Sequence, residues 1–305
     1  MNGLTNHVLM VRPYFFKKNE ETTVNNYFQK NTSLNDQEIN DLAKKEFDKF
    51  VIKLLNAGLR ITVYQDKKYP QTPDSLFPNN WVSFHKTNKV ILYPMFAQNR
   101  RNERTDYIFD KLKKQGVEIE KIYDFTNFEN ENLFLEGTGS MVLDRVNKKC
   151  YACLSERTCK DLVIDFCFKM KYKPILFKAY HKFSKKKLSI YHTNVMMSIG
   201  QKFAAVGLDS IHNIQEKENL INELYNDGKE IISLSENQIK NFAGNMLLLH
   251  NSKEPILVMS SSAYNSLTKL QIKKFEKYSK IISVDLKTIE RVSGGSARCM
   301  LAEIF

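Results

Sequence analysis

Apolar residues follow two different periods along this chain. The runs at residues 8–12, 61–64 and 90–93 are short and rich in β-branched or aromatic residues, which predicts strands. Residues 35–55 instead carry apolar side chains at helical spacing, with Gly58 where a helix C-cap would fall. The N-terminal part of the chain therefore predicts alternating strands and helices.

The same pattern continues to the end of the sequence. In chain order it predicts a helix at 101–114, a strand at 141–146, a helix at 160–168, a strand at 189–194, a helix at 218–225, strands at 246–250, 256–258 and 281–284, and a helix at 262–278. Strands and helices recur about five times without a low-complexity linker. This predicts a closed, repeated α/β structure, formed by a single domain over residues 1–305, with a site at its centre.

Composition narrows the class of protein. The chain has 305 residues, 42% of them hydrophobic, which is enough to build a large core. Its net charge of +12 comes from scattered lysines without a nucleic-acid-binding motif, so we interpret it as a solvated surface. The start lacks a signal-peptide pattern, and no apolar run is long enough to span a membrane. We expect a cytoplasmic protein with no specific nucleic-acid or membrane partner, and the sequence is compatible with a homo-oligomer.

The cysteines give two separate predictions. Their odd number and irregular spacing indicate a reducing compartment rather than a disulfide framework. Cys150, Cys153, Cys159 and Cys167 lack the paired short spacings of a structural zinc site, so we expect no metal. The fifth cysteine, Cys299, lies near the end of the chain in different surroundings.

Cys299 follows a glycine pair and an arginine in Ser293-Gly294-Gly295-Ser296-Ala297-Arg298-Cys299-Met300. Positive charge and backbone N–H groups favour the thiolate, which is the nucleophilic form of cysteine. Taken alone, the residue could equally be a small buried apolar side chain. The rest of the sequence must decide between these two interpretations.

Three other segments supply groups that complement a thiol: residues 73–81, 135–140 and 191–195. They contain the carboxylate of Glu136 and the imidazole of His192. Together with a thiolate, these groups can move protons and split an amide-like C–N bond. Each segment also has a structural interpretation. Residues 73–81 could form a polar turn, Glu136 could be a solvated loop acid, and residues 191–195 could be an edge strand with its polar side chains on one face.

The combined motifs resemble the guanidino-group modifying enzymes, the arginine deiminase and amidinotransferase (pentein) superfamily, and within it the citrulline-utilisation hydrolase (citrulline ureidase) branch. The segments that carry the resemblance are 10–13, 25–29, Phe77-Pro78-Asn79-Asn80, 99–104, Leu135-Glu136-Gly137, 154–158, His192-Thr193-Asn194 and 294–300. The resemblance spans nearly the whole chain. It implies a five-bladed α/β propeller of ββαβ-type repeats, in which Glu136 and His192 assist Cys299.

Two departures from the deiminase pattern bear on the substrate. Deiminases have aspartates at the positions held here by Asn80 and Asn194, and residues 136–139 also lack a second acid. A guanidinium is cationic and offers only donors, so it requires carboxylates. A ureido group is neutral, and an asparagine amide can donate to its oxygen and accept from its nitrogen. The two asparagines therefore predict a ureido substrate.

The resemblance then implies a mechanism for hydrolysing citrulline to ornithine, carbon dioxide and ammonia. Cys299 attacks the ureido carbon, His192 transfers protons, Glu136 holds the reacting group, and N–H groups of the glycine loop are candidate donors to the adduct. The predicted substrate-binding residues are Asn80, Asn194, Phe77, which packs on the flat head group, Asp74 for the α-ammonium, and Arg100, Arg101 and Arg157 for the α-carboxylate. No cofactor is required.

Two alternatives remain open from the sequence. A deiminase, a dimethylarginine-type hydrolase or an amidinotransferase that tolerates the asparagines is the alternative among enzymes. A non-catalytic ribosome-binding protein with the same fold is the alternative of another class, and the positive charge would suit it. The set of Glu136, His192 and Cys299 favours the enzyme, because a binding protein does not need it.

Overall fold

The computed structural model describes residues 3–183 and 186–305. The strands are β1 (His7–Arg12), β2 (Arg60–Gln65), β3 (Val82–His85), β4 (Lys89–Leu92), β5 (Lys121–Asp124), β6 (Met141–Asp144), β7 (Lys149–Cys153), β8 (Lys173–Phe177), β9 (Tyr180–Phe183), β10 (Lys186–Ser189), β11 (Met197–Ile199), β12 (Phe203–Val206), β13 (Glu230–Ser233), β14 (Leu247–His250), β15 (Pro255–Ser260), β16 (Lys280–Val284) and β17 (Ala302–Ile304).

Most helices lie between the second and third strands of a sheet or just before its first strand. They are α1 (Glu20–Thr23), α2 (Asp36–Asn56), α3 (Gln98–Arg101), α4 (Tyr107–Lys114), α5 (Gly137–Ser140), α6 (Lys160–Met170), α7 (Thr193–Met196), α8 (Ile214–Asn226), α9 (Glu236–Lys240), α10 (Ser261–Ser266), α11 (Lys269–Glu276) and α12 (Lys287–Ser293). Short 3₁₀ turns at Pro78–Asn80 and Ala297–Met300 come directly before β3 and β17.

Five three-stranded sheets with one topology account for most strands of the described chain. In each sheet the first strand pairs antiparallel with the second, which pairs parallel with the third across a helical connection. The sheets are β3-β4-β5, β6-β7-β8, β11-β12-β13, β14-β15-β16 and β17-β1-β2. The last of these joins both ends of the chain, because β17 is its first strand and pairs with β1. The predicted mixed α/β fold with recurring units is therefore confirmed.

Helix α2 illustrates how the sequence specifies the local structure. Asn35 accepts from the backbone N–H of Glu38, whose side chain accepts from the N–H of Asn35, so a capping box starts the helix. One face of the helix is buried through Ile39, Ala43, Phe47, Phe50 and Leu54, and packs against β1 and the sheet of β15 and β16. The helix predicted at 35–55 is confirmed.

Three predicted elements are wrong in detail. Strand β10 ends at Ser189, and the predicted strand at 189–194 instead turns into α7. The turn forms because the Thr193 hydroxyl accepts from the backbone N–H of Cys153 and donates to the carbonyl of Ser140, which ties it to another sheet. His192 and Asn194 consequently do not share the face of a strand.

The other two are long predicted helices that the structure divides. The helix predicted at 101–114 is divided into α3 and α4, because the Glu103 side chain turns inward to Arg100 between them. The helix predicted at 262–278 is divided into α10 and α11, because Thr268 caps α11 in a box with Gln271. Among the residues described, no helix is long and apolar enough to cross a membrane.

Candidate functional site

A narrow cavity gathers most of the residues that the sequence predicted for the site. Its lining residues are Asn26, Asp74, Phe77, Asn80, Arg100, Arg157, Tyr191, His192, Ser293, Gly295 and Cys299. The free volume is about 20 Å³, room for roughly one water molecule.

The same structural position in each of the five sheets supplies residues to the site. In each sheet, a polar side chain lies in the turn just before the first strand. The five turns contribute Asn80 before β3, Glu136 before β6, His192 and Asn194 before β11, Asn245 before β14, and Cys299 before β17. Equivalent positions of separate repeats thus converge on the same place.

Glu136 and His192 form a buried pair. The Glu136 carboxylate is fully buried, and its Oε2 lies 2.8 Å from Nε2 of His192. Its Oε1 accepts from the backbone N–H of Phe96 at 3.0 Å, and a guanidinium nitrogen of Arg157 lies 3.6 Å from Oε2. Burial alone would raise the pKa of Glu136, but Arg157 and the hydrogen bond from His192 outweigh it and hold that pKa well below its usual range. The carboxylate is ionised at neutral pH.

The ionised carboxylate fixes the state of the imidazole. Because a carboxylate only accepts, Nε2 of His192 must carry the hydrogen that it donates to Glu136. Burial lowers the pKa of His192 more than Glu136 raises it, so the free site holds a neutral imidazole with an unprotonated Nδ1. That nitrogen faces Gly139, where an added Cβ would lie 2.8 Å from Nδ1 and 2.5 Å from Nδ2 of Asn80. Only glycine allows this approach.

Cys299 lies among amide groups. Its sulfur accepts from Nδ2 of Asn245 at 3.1 Å and from Nδ2 of Asn194 at 3.4 Å. The side chain is buried, with 7% of the residue surface exposed. N–H groups directed at a sulfur stabilise its ionised form, which is the form a nucleophile requires.

Asn80 is bound to a buried arginine. Its Oδ1 accepts from Nη1 of Arg100 at 2.9 Å, and its Nδ2 donates to Oδ1 of Asn79 at 3.2 Å. Arg100 is buried and forms a bidentate pair with Glu103 at 2.7 and 2.9 Å. Because a guanidinium offers only donors, the oxygen of the Asn80 amide must face Arg100, and its NH₂ group is left on the side of Gly139.

Asp74 and Phe77 come from the loop before β3. Oδ2 of Asp74 accepts from Nδ2 of Asn19 at 2.8 Å and lies 3.9 Å from Arg100, whereas Oδ1 is buried without a partner in the described chain. Burial raises the pKa of Asp74, although Arg100 and the hydrogen bond from Asn19 oppose this. Asp74 therefore has one oxygen available to a ligand.

The ring of Phe77 lies against Gly295, where a Cβ would come within 2.5 Å of it.

The three predicted arginines have different positions. Arg157 lies between the rings of Phe96 and Tyr191, and its Nη2 donates to the backbone carbonyl of Thr22 at 3.2 Å. Its Nε is buried and, among the residues described, has no partner. Arg100 and Arg157 both line the cavity.

Arg101, by contrast, is not among the lining residues. Its Nε donates to the carbonyl of Met95 at 3.2 Å and lies 3.4 Å from Glu129. Adjacent residues on a helical turn point in different directions, so only one of Arg100 and Arg101 can face the cavity. The arrangement gives no support to Arg101 as a ligand of the substrate.

The glycine loop also differs from what we expected. The N–H of Gly294 donates to the carbonyl of Glu290 at 3.0 Å, and the N–H of Gly295 donates to the hydroxyl of Ser293 at 3.2 Å. The N–H groups of the two glycines are therefore already used by the protein. The amides of Asn194 and Asn245 are the donors that face the sulfur instead.

Several residues of the site were missed by the sequence reasoning. Asn245 is the most important, and its only signal was its place before β14, equivalent to that of Asn80 before β3. Glu103 was missed because only the fold shows that it neutralises Arg100. Tyr191 was missed although it directly precedes His192. Within the described ranges, no three His, Cys, Asp or Glu side chains form a group that could hold a metal.

Three solved structures are similar in fold. A cysteine-to-serine variant of the N-terminal domain of ArgZ, an arginine dihydrolase from the ornithine–ammonia cycle in cyanobacteria, bound to substrate, is 15% identical, has a TM-score of 0.72, and covers 98% of this chain and 97% of its own. A cysteine-to-alanine variant of AgrE with L-arginine is 15% identical with a TM-score of 0.72, over 98% of this chain and 40% of that one. At this identity the similarity shows the mixed α/β fold.

The third structure and the family comparison point to the same group. The adduct of a histidine-to-glycine variant of dimethylarginine dimethylaminohydrolase with S-methyl-L-thiocitrulline is 14% identical with a TM-score of 0.63, over 98% of this chain and 99% of that one. A comparison with curated proteins gave no match. The family described as "N,N dimethylarginine dimethylhydrolase, eukaryotic" matches residues 12–305. The chain therefore belongs to that family, within the pentein (amidinotransferase and arginine deiminase) superfamily.

Proposed function

We propose that this protein is a hydrolase that cleaves the ureido group of citrulline, or of a closely related amino acid, through a thiol adduct on Cys299. The observation that carries the proposal is the contact between Arg100 and Asn80. It turns the amide oxygen of Asn80 toward Arg100. One N–H of its NH₂ group is donated to Asn79, and the other is left as a donor to the cavity. A donor there suits the carbonyl oxygen of a ureido group and is unsuited to a guanidinium, which has no acceptor.

Charge around the sulfur supports the same substrate. Among the described residues, the side chains that donate hydrogen bonds to the Cys299 sulfur are the neutral amides of Asn194 and Asn245. The buried carboxylate of Glu136 already accepts from His192 and Phe96, and Glu103 is occupied by Arg100. A cationic head group would therefore be desolvated with few free counterions, which costs several kcal/mol. A neutral head group avoids this cost.

The proposed reaction consumes one water molecule. The sulfur of Cys299 bonds to the ureido carbon, and the thiol proton passes to Nδ1 of His192, whose imidazolium is stabilised by Glu136. The C–N bond to the ornithine nitrogen then breaks, and that nitrogen takes the proton. His192 next activates water to cleave the carbamoyl thioester, which releases carbamic acid, and this decomposes to carbon dioxide and ammonia. The unpartnered Oδ1 of Asp74 would accept from the α-ammonium group.

A second candidate is hydrolysis of a guanidino group. The family match over residues 12–305 favours it, and the similar structures include an arginine dihydrolase and a dimethylarginine dimethylaminohydrolase. The free oxygen of Asp74 is the feature of this cavity that would suit a guanidinium. In this alternative Asp74 binds the head group rather than the α-ammonium group.

The arrangement of the sheets is part of the proposal. Arg145, the residue after β6, pairs with Glu303 of β17 at 3.3 Å, and the β11 sheet packs against the β6 sheet in the same apolar core. We infer that the five sheets stand as blades around one axis in a single catalytic domain over residues 1–305. This placement would account for the convergence of the five turns.

A substrate panel tests the proposal. Citrulline, arginine and dimethylarginine are each incubated with the purified protein, and ornithine, citrulline and ammonia are quantified. We expect ornithine and ammonia from citrulline and no product from the two guanidino compounds. Citrulline formed from arginine or dimethylarginine, without ornithine from citrulline, would replace the proposal with the second candidate.

Two variants sharpen this panel. Cys299→Ala should reduce turnover by at least about 10³-fold with an unchanged circular dichroism spectrum, because the nucleophile is lost. Asn80→Asp should lower kcat/KM for citrulline by about tenfold or more, because a carboxylate replaces the NH₂ donor. Full activity of Cys299→Ala would exclude the thiol adduct, and an unchanged kcat/KM in Asn80→Asp would exclude recognition by that donor.

A further inference from the structure

Asn245 makes four hydrogen bonds, three of them to the turn that carries Cys299. Its Oδ1 accepts from the backbone N–H of Arg298 at 2.9 Å and from that of Cys299 at 3.4 Å. Its Nδ2 donates to the sulfur of Cys299 at 3.1 Å and to the backbone carbonyl of Asn194 at 3.2 Å. The side chain is buried, with 2% of the residue exposed. The hydrogen-bonding capacity of this amide is therefore fully used, three bonds going to the turn of Cys299 and one to Asn194.

These contacts fix the orientation of the amide. The two backbone N–H groups can only donate, and the carbonyl of Asn194 can only accept, so oxygen and nitrogen cannot be exchanged. The NH₂ group must consequently face the sulfur. A thiol is a weak acceptor, whereas a thiolate is a strong one, so this N–H favours the ionised sulfur.

We propose that Asn245 holds the Cys299 turn in place and, through its N–H, stabilises the thiolate that attacks the substrate. The inference rests on the proposed function, since it takes Cys299 to be the nucleophile. It adds to the set of Glu136, His192 and Cys299 a neutral residue that acts on the sulfur directly. Because the residue carries no charge, it can support ionisation without adding a counterion to the cavity.

The other groups near the sulfur must be held constant in a test. The titratable and charged side chains that share the cavity with it are Asp74, Arg100, Arg157, Tyr191 and His192, and Arg298 precedes it in the chain. Glu136 lies behind His192. Substitution of Asn245 leaves all of these in place, so a change in the ionisation of Cys299 would report on this amide.

The experiment measures alkylation of Cys299 by iodoacetamide as a function of pH, with the modified peptide quantified by mass spectrometry. Asn245→Asp keeps an oxygen toward the two backbone N–H groups and places a carboxylate against the sulfur. We expect its midpoint to move up by at least about one pH unit, so that alkylation at neutral pH is about tenfold slower. Asn237→Asp is the control, because it makes the same change at an exposed position in α9. Its alkylation midpoint should equal that of the unaltered protein.

A second variant covers the case in which Asn245→Asp does not fold. Asn245→Ser is neutral and loses the N–H donor, and its midpoint should move in the same direction by a smaller amount. An unchanged midpoint in a folded variant would overturn the inference and leave Asn245 with a structural role alone. The measurement needs no substrate, so it stands apart from the substrate panel: a shifted midpoint with no hydrolysis of citrulline would reject the proposed function only.

Discussion

The two sides of the cavity stabilise charge in different ways. On the imidazole side, His192 is bound to the ionised Glu136, with Arg157 3.6 Å from the same oxygen. On the sulfur side, Cys299 contacts the neutral amides of Asn194 and Asn245. The first side uses full charges in fixed pairs, and the second uses dipoles.

This difference has a chemical consequence. The charged side is suited to stabilise an imidazolium that appears during proton transfer, because Glu136 is already ionised. The neutral side supports a thiolate without attracting a cationic substrate to the sulfur. In the proposed reaction, this separation would let one cavity transfer protons while it binds an uncharged head group.

Glu136→Gln would give the largest effect, because it removes the charge from the imidazole side. We expect kcat to fall by about 10²- to 10⁴-fold, since the imidazolium of His192 loses its stabilising carboxylate. The measurement is kcat across a range of pH. Glu129→Gln is the control, because Glu129 also pairs with arginines, Arg101 and Arg104, but outside the cavity. Equal losses in the two variants would mean that the role of Glu136 is structural.

Replacement of the arginines comes next in size. Arg157→Met removes a guanidinium that contacts Glu136 and the backbone of Thr22, so we expect kcat/KM to fall by about tenfold to a hundredfold. Arg101→Met should change kcat/KM by less than about twofold, because Arg101 pairs with Glu129 away from the cavity. Melting temperatures of both variants control for unfolding. A larger loss of kcat/KM from Arg101→Met than from Arg157→Met would indicate that Arg101, rather than Arg157, binds the α-carboxylate of the substrate.

The smallest effect concerns His181, which is not among the residues that line the cavity. His181 packs edge-on against Phe28, and among the described residues neither of its ring nitrogens has a hydrogen-bond partner. Burial lowers the pKa of His181 to about 4, and burial with Arg60 lowers that of His7 to about 4. The folded-state pKa values of both histidines lie below the unfolded value of 6.5. The unfolded chain therefore gains protons first as the pH falls, so the free energy of unfolding is highest above about pH 6.5 and decreases toward pH 4.

His181→Phe tests this contribution. Its melting temperature should decrease less than that of the unaltered protein between about pH 7 and pH 4.5, because the unfolded state no longer gains a proton at this position. The expected difference at the acidic end is a few degrees. Parallel melting curves against pH for the two proteins would show that His181 does not contribute.

The sequence was a good guide where local signals suffice. Helix α2 has its capping box and apolar face within one segment, and the strands β1, β4 and β16 lie close to their predicted bounds. The prediction failed at α7, where the hydroxyl of Thr193 binds the backbone of Ser140 in α5 and of Cys153 in β7 and turns the chain. No local pattern encodes such a contact.

Prediction of the site was limited by the same physics. The family resemblance implied the roles of Cys299, His192 and Glu136, and the structure places His192 against Glu136 and in one cavity with Cys299. The orientation of the Asn80 amide depends on Arg100, and the role of Asn245 depends on its distance from the sulfur. Both are properties of side chains brought together from separate sheets, so only the folded arrangement reveals them.

The pairing of β17 with β1 links the nucleophile to the first strand of the chain. Cys299 lies three residues before β17, so its turn is seated only when these two distant segments have met. The position of the sulfur beside its amide donors therefore depends on a strand pairing between segments almost the whole described chain apart.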